Sequence, residues 1–488
     1  MDEIKLSDDV LEQIKDFDRY GRLTEEQKSL IDKLITDKEL KERYIKYGLC
    51  NFCKQPETNI GYCRACNSQR FKQNFKNWTS GNHDVDEFIQ KVQLKATKDT
   101  LIIEWIEYDN FKDVEYLAKG GFGATFKAVW KDGFIGCWRD DINRWGRAPM
   151  SEVALKCLYN SQGITADFLK EIESHILVYK NNTALDFIVR CHGITKDPKT
   201  NNFMMVMDLK HRSLRQHLNN YFISTNWYSK LWILRSIASG LKEIHNKGLI
   251  HRDFHSGNIL TSHTEGTCAY ITDLGLCQPA NVKSNKNSNK KIYGVLPYVD
   301  PEVLRGKEYT QASDIYGYGI IAYEICTGLP PYYNIAHDGF LAIRICQGLR
   351  PKSDYKTPQL IFDIINQCWD ADPLKRPNAD ELFTLMEDLW DPVYRNKVDS
   401  VIYRQLEETD DINKKLSSSM VQLPLSSASN LLYTTHPQAV YTSKLLDFKN
   451  LPESKNADND DLECSEFLLT NDLTELNINY INFKDKEN

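Results

Sequence analysis

The chain has 488 residues, 41% of them hydrophobic and 26% charged, with 61 Lys and Arg against 68 Asp and Glu. That apolar content supports a packed core and excludes an entirely disordered chain. A formal charge of -7 argues against a general nucleic-acid coat.

Membrane insertion is not expected, because the best apolar run, Gly317 to Leu329, is interrupted by Glu324. The acidic start Met1-Asp2-Glu3-Ile4-Lys5 lacks the apolar run of a secretory signal. The expected location is therefore the cytoplasm, with the nucleus also compatible, and the 13 cysteines are expected to be reduced.

Residues 1–46 read as short helices. Thr24-Glu25-Glu26-Gln27 forms a capping-box pattern ahead of Leu30, Ile31, Leu34 and Ile35 on one face, and Thr36-Asp37-Lys38-Glu39 repeats it before Leu40 and Tyr44. Residues 47–80 hold two C-x-x-C pairs, Cys50/Cys53 and Cys63/Cys66, inside a 17-residue window. Four thiolates on two tight turns satisfy tetrahedral zinc with no open position, so a structural zinc site is expected, with redox or coincidental cysteines as the alternative. Cysteines in apolar stretches, such as Cys157, Cys191 and Cys326, read as small buried hydrophobes.

Phe71, Phe75 and Trp78 follow at helical spacing, and residues 41–77 carry 8 basic against 2 acidic residues, a net of +6. Aromatics among cations could form a nucleic-acid or partner-protein surface. They could equally be a stripe packed on a small module that lacks its own core, and the size of the module favours that reading. Residues 81–110 read as a helical linker whose helix over 82–96 starts at the Asn82/Asp84 caps.

From Phe111 the pattern changes. Strand-like runs at Val114–Leu117, Phe126–Trp130, Val153–Leu158 and Phe203–Met207 precede long helical patterns such as Leu231 to Ile244, stopped at Lys247-Gly248. A β-rich half followed by a larger α-rich half predicts two lobes with a cleft over 111–392. Residues 393–488 lose periodicity and read as an acidic, mostly disordered tail. Residues 405–488 hold 7 basic and 15 acidic residues, a net of -8, which leaves +1 for residues 1–404. The acidity thus belongs to the tail, which is expected to fold back on basic loops of the two-lobed part.

Lys119-Gly120-Gly121-Phe122-Gly123 lies between two strand runs, where glycines let backbone amides approach phosphate. Lys156 sits in the apolar run Val153-Ala154-Leu155-Lys156 and needs a partner there, which Glu171 on the following amphipathic helix supplies. His251-Arg252-Asp253-Phe254-His255-Ser256-Gly257-Asn258 comes next, then Ile271-Thr272-Asp273-Leu274-Gly275. Asn258 and Asp273 offer hard oxygen ligands for magnesium, and Asp253 can accept the proton of an attacking hydroxyl.

In this order the motifs resemble those of a eukaryotic protein kinase. The resemblance covers about 280 residues and continues through Asp300-Pro301-Glu302, Asp314-Ile315-Tyr316-Gly317-Tyr318-Gly319 and Cys368-Trp369-Asp370-Ala371-Asp372-Pro373-Leu374-Lys375-Arg376-Pro377. It implies an α+β bilobal fold and transfer of the γ-phosphoryl of ATP, with Mg2+, to protein hydroxyls. Asp253, Lys156 and Glu171 would be catalytic, and nucleotide contacts would come from Leu117, Ala118, Lys119, Gly120, Gly121, Phe122, Gly123, Ala124, Thr125, Ala154, Lys156, Met207 and Asp208. His251, Arg252, Asp314 and a Glu302–Arg376 pair would be structural. The wording of the Cys-Trp ending and of the Asp253 loop is similar to the tyrosine-kinase-like group. The cysteine module, with Trp130, Trp138 and Trp145 before the lysine strand, resembles kinase families expanded in arbuscular mycorrhizal fungi.

Several positions depart from that pattern. Ala118 replaces the first loop glycine and Thr125 the usual valine, and the stretch after Met207-Asp208 is one residue short, with Arg212 before Ser213-Leu214 expected to face water. His255 replaces the lysine of serine/threonine kinases and Val295 its threonine partner, so serine/threonine specificity is a default, with tyrosine or dual specificity open. Asp300 stands where alanine is usual. Arg252 would read a phosphate on the activation segment, for which Ser284, Ser288 and Tyr293 are candidates. The alternative function is a pseudokinase scaffold that binds nucleotide and partners without phosphotransfer.

Overall fold

The computed structural model describes residues 5–17, 23–119, 123–139, 141–158, 166–179, 187–262, 268–279, 292–420 and 433–456. Three short helices open the chain: α1 (Asp8–Ile14), α2 (Glu25–Leu34) and α3 (Lys38–Tyr47). Thr24 and Gln27 close the expected capping box on α2. At α3 the cap is Asp37, whose side chain accepts from Leu40 N–H, so the second expected box reduces to a single cap. Leu11, Ile14, Ile31, Leu40 and Tyr44 bury one another, which gives these helices a core of their own.

The cysteine segment leads into α4 (Arg64–Asn74), and α5 (His83–Lys95) starts at the Asn82 cap as expected. The part read as a linker is instead built into the first lobe. Val85 and Ile89 of α5 share a core with Phe168 and Ile172 of α6 (Ala166–Val178). The strand β1 (Glu104–Trp105) lies parallel to a strand of the main sheet. Its Glu104 is buried and held by Arg147 at 2.9 Å.

Next come β2 (Phe111–Lys119), β3 (Gly123–Trp130), the hairpin β4 (Ile135–Arg139) and β5 (Arg144–Arg147), β6 (Ser151–Leu158), β7 (Cys191–Lys196) and β8 (Phe203–Asp208). The six-stranded sheet has the order β1-β7-β8-β6-β3-β2. The strand runs read from the sequence sit in β2, β3, β6 and β8, each slightly longer than its apolar run because ladder bonds continue past it.

The second lobe is helical. α7 (Leu214–Tyr221) and α8 (Trp227–Asn246) pack with the helices Gln311–Thr327, Gln359–Cys368 and Ala379–Tyr394 around one apolar core. The helix Gln311–Thr327 is buried nearly all round, which explains why its sequence shows no amphipathic stripe. A Cβ on Gly317 would lie 2.8 Å from Phe254 O, so glycine lets this helix approach the Asp253 loop.

Within the stretch after 393, read as mostly disordered, the structure describes residues 393–420 and 433–456. Residues 401–420 form a helix that buries Ile402 and Leu406 against the helical lobe, and residues 433–456 lie along that lobe. Sparse anchors carry both, too few to register as periodicity. The acidic run at 458–461 lies outside the described residues. Among the described residues no helix is long and apolar enough to cross a membrane.

Candidate active site

The cleft between the lobes collects five polar side chains from four separate elements. Lys156 on β6 reaches Glu171 of α6 at 2.6 Å and Asp273 at 2.9 Å. Burial alone would lower the Lys156 pKa, but the Asp273 and Glu171 carboxylates outweigh it and hold the ammonium charged. Burial raises Glu171 above its usual range against the pull of Lys156, whereas Lys156 keeps Asp273 lowered in spite of burial. A Cβ on Gly275 would lie 2.8 Å from Glu171 Oε2, so glycine at that position admits the carboxylate.

Asp253 and Asn258 occupy the turn before the strand Ile259–Thr261. Asn258 Nδ2 donates to Asp253 O at 2.9 Å and to its Oδ2 at 3.3 Å. Thr272 N–H donates to Asn258 O at 3.0 Å, which ties the Asp253 and Asp273 loops together. Burial would raise Asp253, but the neighbouring His255 and hydrogen bonds from His255 and Ser443 bring it down to about 2. It is therefore a carboxylate at neutral pH, as a proton acceptor must be.

His255 replaces the lysine of the motif, yet it fills a position beside Asp253. Its Nε2 is 3.5 Å from Asp253 Oδ1, and its Nδ1 accepts from Gly257 N–H at 3.1 Å. With Nδ1 accepting, Nε2 is the ring nitrogen that presents an N–H toward Asp253. Val295 is buried in the helical core, as an apolar replacement for threonine should be.

Of the nucleotide-contact residues assigned from the resemblance, the described ones lie on β2, β3, β6 and β8. Ala118 pairs with Thr125 and Lys119 with Ala124 across the β2–β3 hairpin, whose far end begins at Gly123, and Leu117 is half-exposed on β2. Gly120, Gly121 and Phe122 lie outside the described residues. Ala154 is the register partner of Met207. The Asp208 carboxylate is taken by His192 at 2.7 Å and Lys210 at 3.2 Å. Arg212, expected to face water, lies over the Tyr221 ring at 4.5 Å.

Asp314 accepts from His251 N–H at 2.8 Å and Arg252 N–H at 3.0 Å, and His251 Nε2 lies 3.1 Å from Thr272 O. These bonds hold Arg252 at a φ of 71°, a strained value for a side-chain residue. The Arg252 guanidinium lies over Tyr309 at 5.0 Å. Of the candidate phosphosites, Ser284 and Ser288 fall outside the described residues, and Tyr293 is in the short strand Ile292–Gly294.

Arg376 forks onto Glu302 with two contacts of 2.8 Å, fully buried. Asp300 lies beside this pair. It is 0% exposed and 3.5 Å from Arg376. Burial and the Glu302 carboxylate push its pKa well above its ordinary value of 3.8. The folded protein therefore takes up a proton at Asp300, and stability is lost as pH rises from the ordinary value toward the raised one. Asp300→Asn keeps the shape without that proton. Its thermal midpoint should match the wild type near pH 4 and exceed it by about 2–4 °C at pH 8; an advantage that shrinks with rising pH would contradict the assignment.

The four cysteines of the head meet. All four sulfurs lie within 4.8 Å of one another, with Cys50–Cys66 at 3.8 Å and Cys53–Cys63 at 3.5 Å. Tetrahedral zinc with Zn–S near 2.3 Å needs S–S edges of about 3.8 Å, so the donor set fits. Phe71 is buried and stacks on Trp145 at 4.7 Å, while Arg70 lies over Trp138 at 4.4 Å. Phe71 thus packs against the tryptophan hairpin β4–β5 and shares a small core with Tyr62 and Ile135, whereas Trp78 packs with Val85 and Ile89 of the first lobe.

Sequence reasoning missed Ser443. Its Oγ donates to Asp253 Oδ2 at 2.6 Å and lies 3.3 Å from His255 Nε2. It also missed Arg215, which pairs with the buried Glu324 at 2.9 Å beside Ser256 and Tyr298. A buried glutamate in the apolar run around Glu324 was the one sequence signal for that network.

Comparison with known proteins agrees with this geometry. The family described as "Protein tyrosine and serine/threonine kinase" matches residues 111–386. A probable serine/threonine-protein kinase of Dictyostelium discoideum is 28% identical over 287 residues, 58% of this chain and 28% of the relative. The probable serine/threonine-protein kinase roco5 of the same organism is 30% identical over 56% of this chain and 9% of its own length. A probable LIM domain-containing serine/threonine-protein kinase, also from Dictyostelium, is 28% identical over 56% of this chain and 25% of its own length. The chain thus spans less than a third of each of these three relatives.

Proposed function

Because this chain belongs to the protein tyrosine and serine/threonine kinase family, we propose that it is an active kinase that moves the γ-phosphoryl of MgATP to serine or threonine hydroxyls of proteins. The observation that carries the proposal is the intact constellation: Lys156 locked between Glu171 and Asp273, and Asp253 ionised beside Asn258. A scaffold without phosphotransfer has no need to keep two buried carboxylates around one ammonium, an arrangement that is costly unless used.

Lys156 would hold the nucleotide phosphates, and Asp253 would orient the acceptor hydroxyl and take its proton. Asn258 and Asp273 would hold magnesium, which supplies charge neutralisation on the phosphates when bound. Rate enhancement then comes mainly from positioning and fixed charge. Serine/threonine preference is supported by the relatives, which are named as probable serine/threonine-protein kinases. The Cys368-Trp369 ending supports placement in the tyrosine-kinase-like group. The test is phosphotransfer to a degenerate peptide library with phosphoamino-acid readout: phosphoserine and phosphothreonine are expected, and phosphotyrosine alone would overturn the specificity.

The head is proposed to carry one structural zinc on Cys50, Cys53, Cys63 and Cys66, supported by the sulfur spacing. Purified chain should contain one zinc, falling below about 0.1 equivalent in Cys63→Ser with a lower midpoint for the head. A full equivalent retained by that variant would refute the site.

A further inference from the structure

The segment 433–456 does not simply lie on the helical lobe; it runs through the mouth of the active site. Its strand Lys444–Leu446 pairs antiparallel with Ile292–Gly294, in the register Ile292↔Leu446, Tyr293↔Leu445 and Gly294↔Lys444. Immediately before that strand, Ser443 Oγ donates to Asp253 Oδ2 at 2.6 Å. Two residues before the serine, the Tyr441 ring lies on the Arg215 guanidinium at 4.4 Å and its hydroxyl donates to Pro331 O at 3.0 Å. Three residues after it, Leu446 is buried among Ile292, Leu296, Val303 and Leu341. Backbone contacts continue on both sides, His436 N–H to Tyr333 O at 2.8 Å and Lys455 N–H to Cys346 O at 3.0 Å.

An added strand gives affinity through main-chain bonds and specificity through alternate side-chain pockets, which is how an extended peptide is recognised. Here the added strand places a hydroxyl on the carboxylate that would accept its proton, within the distance a general base requires. We infer that residues 433–456 occupy the peptide-substrate groove and that Ser443 is a phosphoacceptor of this chain's own active site, in cis. The inference rests on the kinase reading above and deepens it, since the bound segment also describes the substrate class: a serine with an aromatic residue two before it and an aliphatic residue three after it.

In the step, Ser443 Oγ bonds to the γ-phosphorus of ATP as its proton passes to Asp253. The bond from that phosphorus to the β–γ bridging oxygen breaks, its electron pair leaves with ADP, and the proton is then released to solvent. The product places a dianionic phosphate against Asp253, and like-charge repulsion expels the segment. Ser443 thus makes the segment a plug that its own phosphorylation removes.

The test uses the full dephosphorylated chain with MgATP, phosphosite mapping and an added peptide copying residues 436–450. Phosphate is expected on Ser443 with a rate constant unchanged over about hundredfold enzyme dilution, as a unimolecular step requires. Activity on the added peptide should rise after a lag as that phosphate accumulates. Ser443→Ala should stay at the initial low rate, and Leu446→Asp, which loosens the strand, should be fast from the start. Transfer to the added peptide without phosphate on Ser443, or a Ser443 rate that scales with enzyme concentration, would overturn the inference and leave the kinase reading standing. No transfer to either would overturn both.

Discussion

Asp253→Asn is expected to lower the turnover of phosphotransfer by about a thousandfold while leaving the Michaelis constant for peptide within about threefold. The amide keeps the size of the carboxylate and can still meet Asn258 and His255, so binding survives. What it loses is the ability to accept the hydroxyl proton as the new P–O bond forms. Since His255 and the hydrogen bonds hold Asp253 at about 2, the carboxylate stays ionised at every pH where the protein would be assayed. Any acid limb in the rate profile must therefore belong to another group. The measurement is steady-state kinetics on the library-derived peptide; an Asp253→Asn enzyme as fast as wild type would remove the assigned base and with it the proposed mechanism.

Arg376→Ala should be the most damaging of the structural substitutions. Arg376 is buried between Glu302, two contacts at 2.8 Å, and Asp300 at 3.5 Å, and it also donates to Ala312 O at 3.0 Å and Asp370 O at 2.8 Å. Removing the cation leaves two carboxyl groups facing each other without compensation, a change that costs about 3–5 kcal/mol. For a domain of this size the thermal midpoint should fall by roughly 10 °C. Raising the pH should deepen the loss, because Asp300 then has no cation to offset its ionisation. The check is thermal denaturation of both proteins at pH 6 and pH 8. A shift under about 2 °C would mean that the surrounding helices, not the ion pair, hold this corner of the lobe.

The candidate site was legible because its chemistry is carried by side chains that do not fit their local setting. Lys156 lies in an apolar strand and demanded a partner, and Glu171, 15 residues on, is that partner in space. The two C-x-x-C pairs were legible for the same reason, since short spacing alone brings two thiolates together. His255 was read as a loss because a sequence motif records identity, whereas the structure records which atom faces Asp253. The contact of Arg212 with the Tyr221 ring, nine residues on, was not read from the sequence, because its motif reading looked toward the nucleotide side.

The sequence by itself determined the order of motifs, the two lobes and the five polar residues of the cleft. Each follows from local spacing or from the cost of burying a charge. Tertiary structure alone decided where residues 433–456 go. Tyr441, Ser443 and Leu446 make an unremarkable tripartite pattern in a polar stretch, and their partners Arg215, Asp253 and Ile292 are more than 150 positions away. No periodicity encodes such a contact, because it depends on two surfaces matching after both have folded. The charge of -7 that opened the question points the same way: it places an acidic excess after residue 405. The described part of that stretch reaches the active site through a serine, a tyrosine and a leucine rather than through its acids.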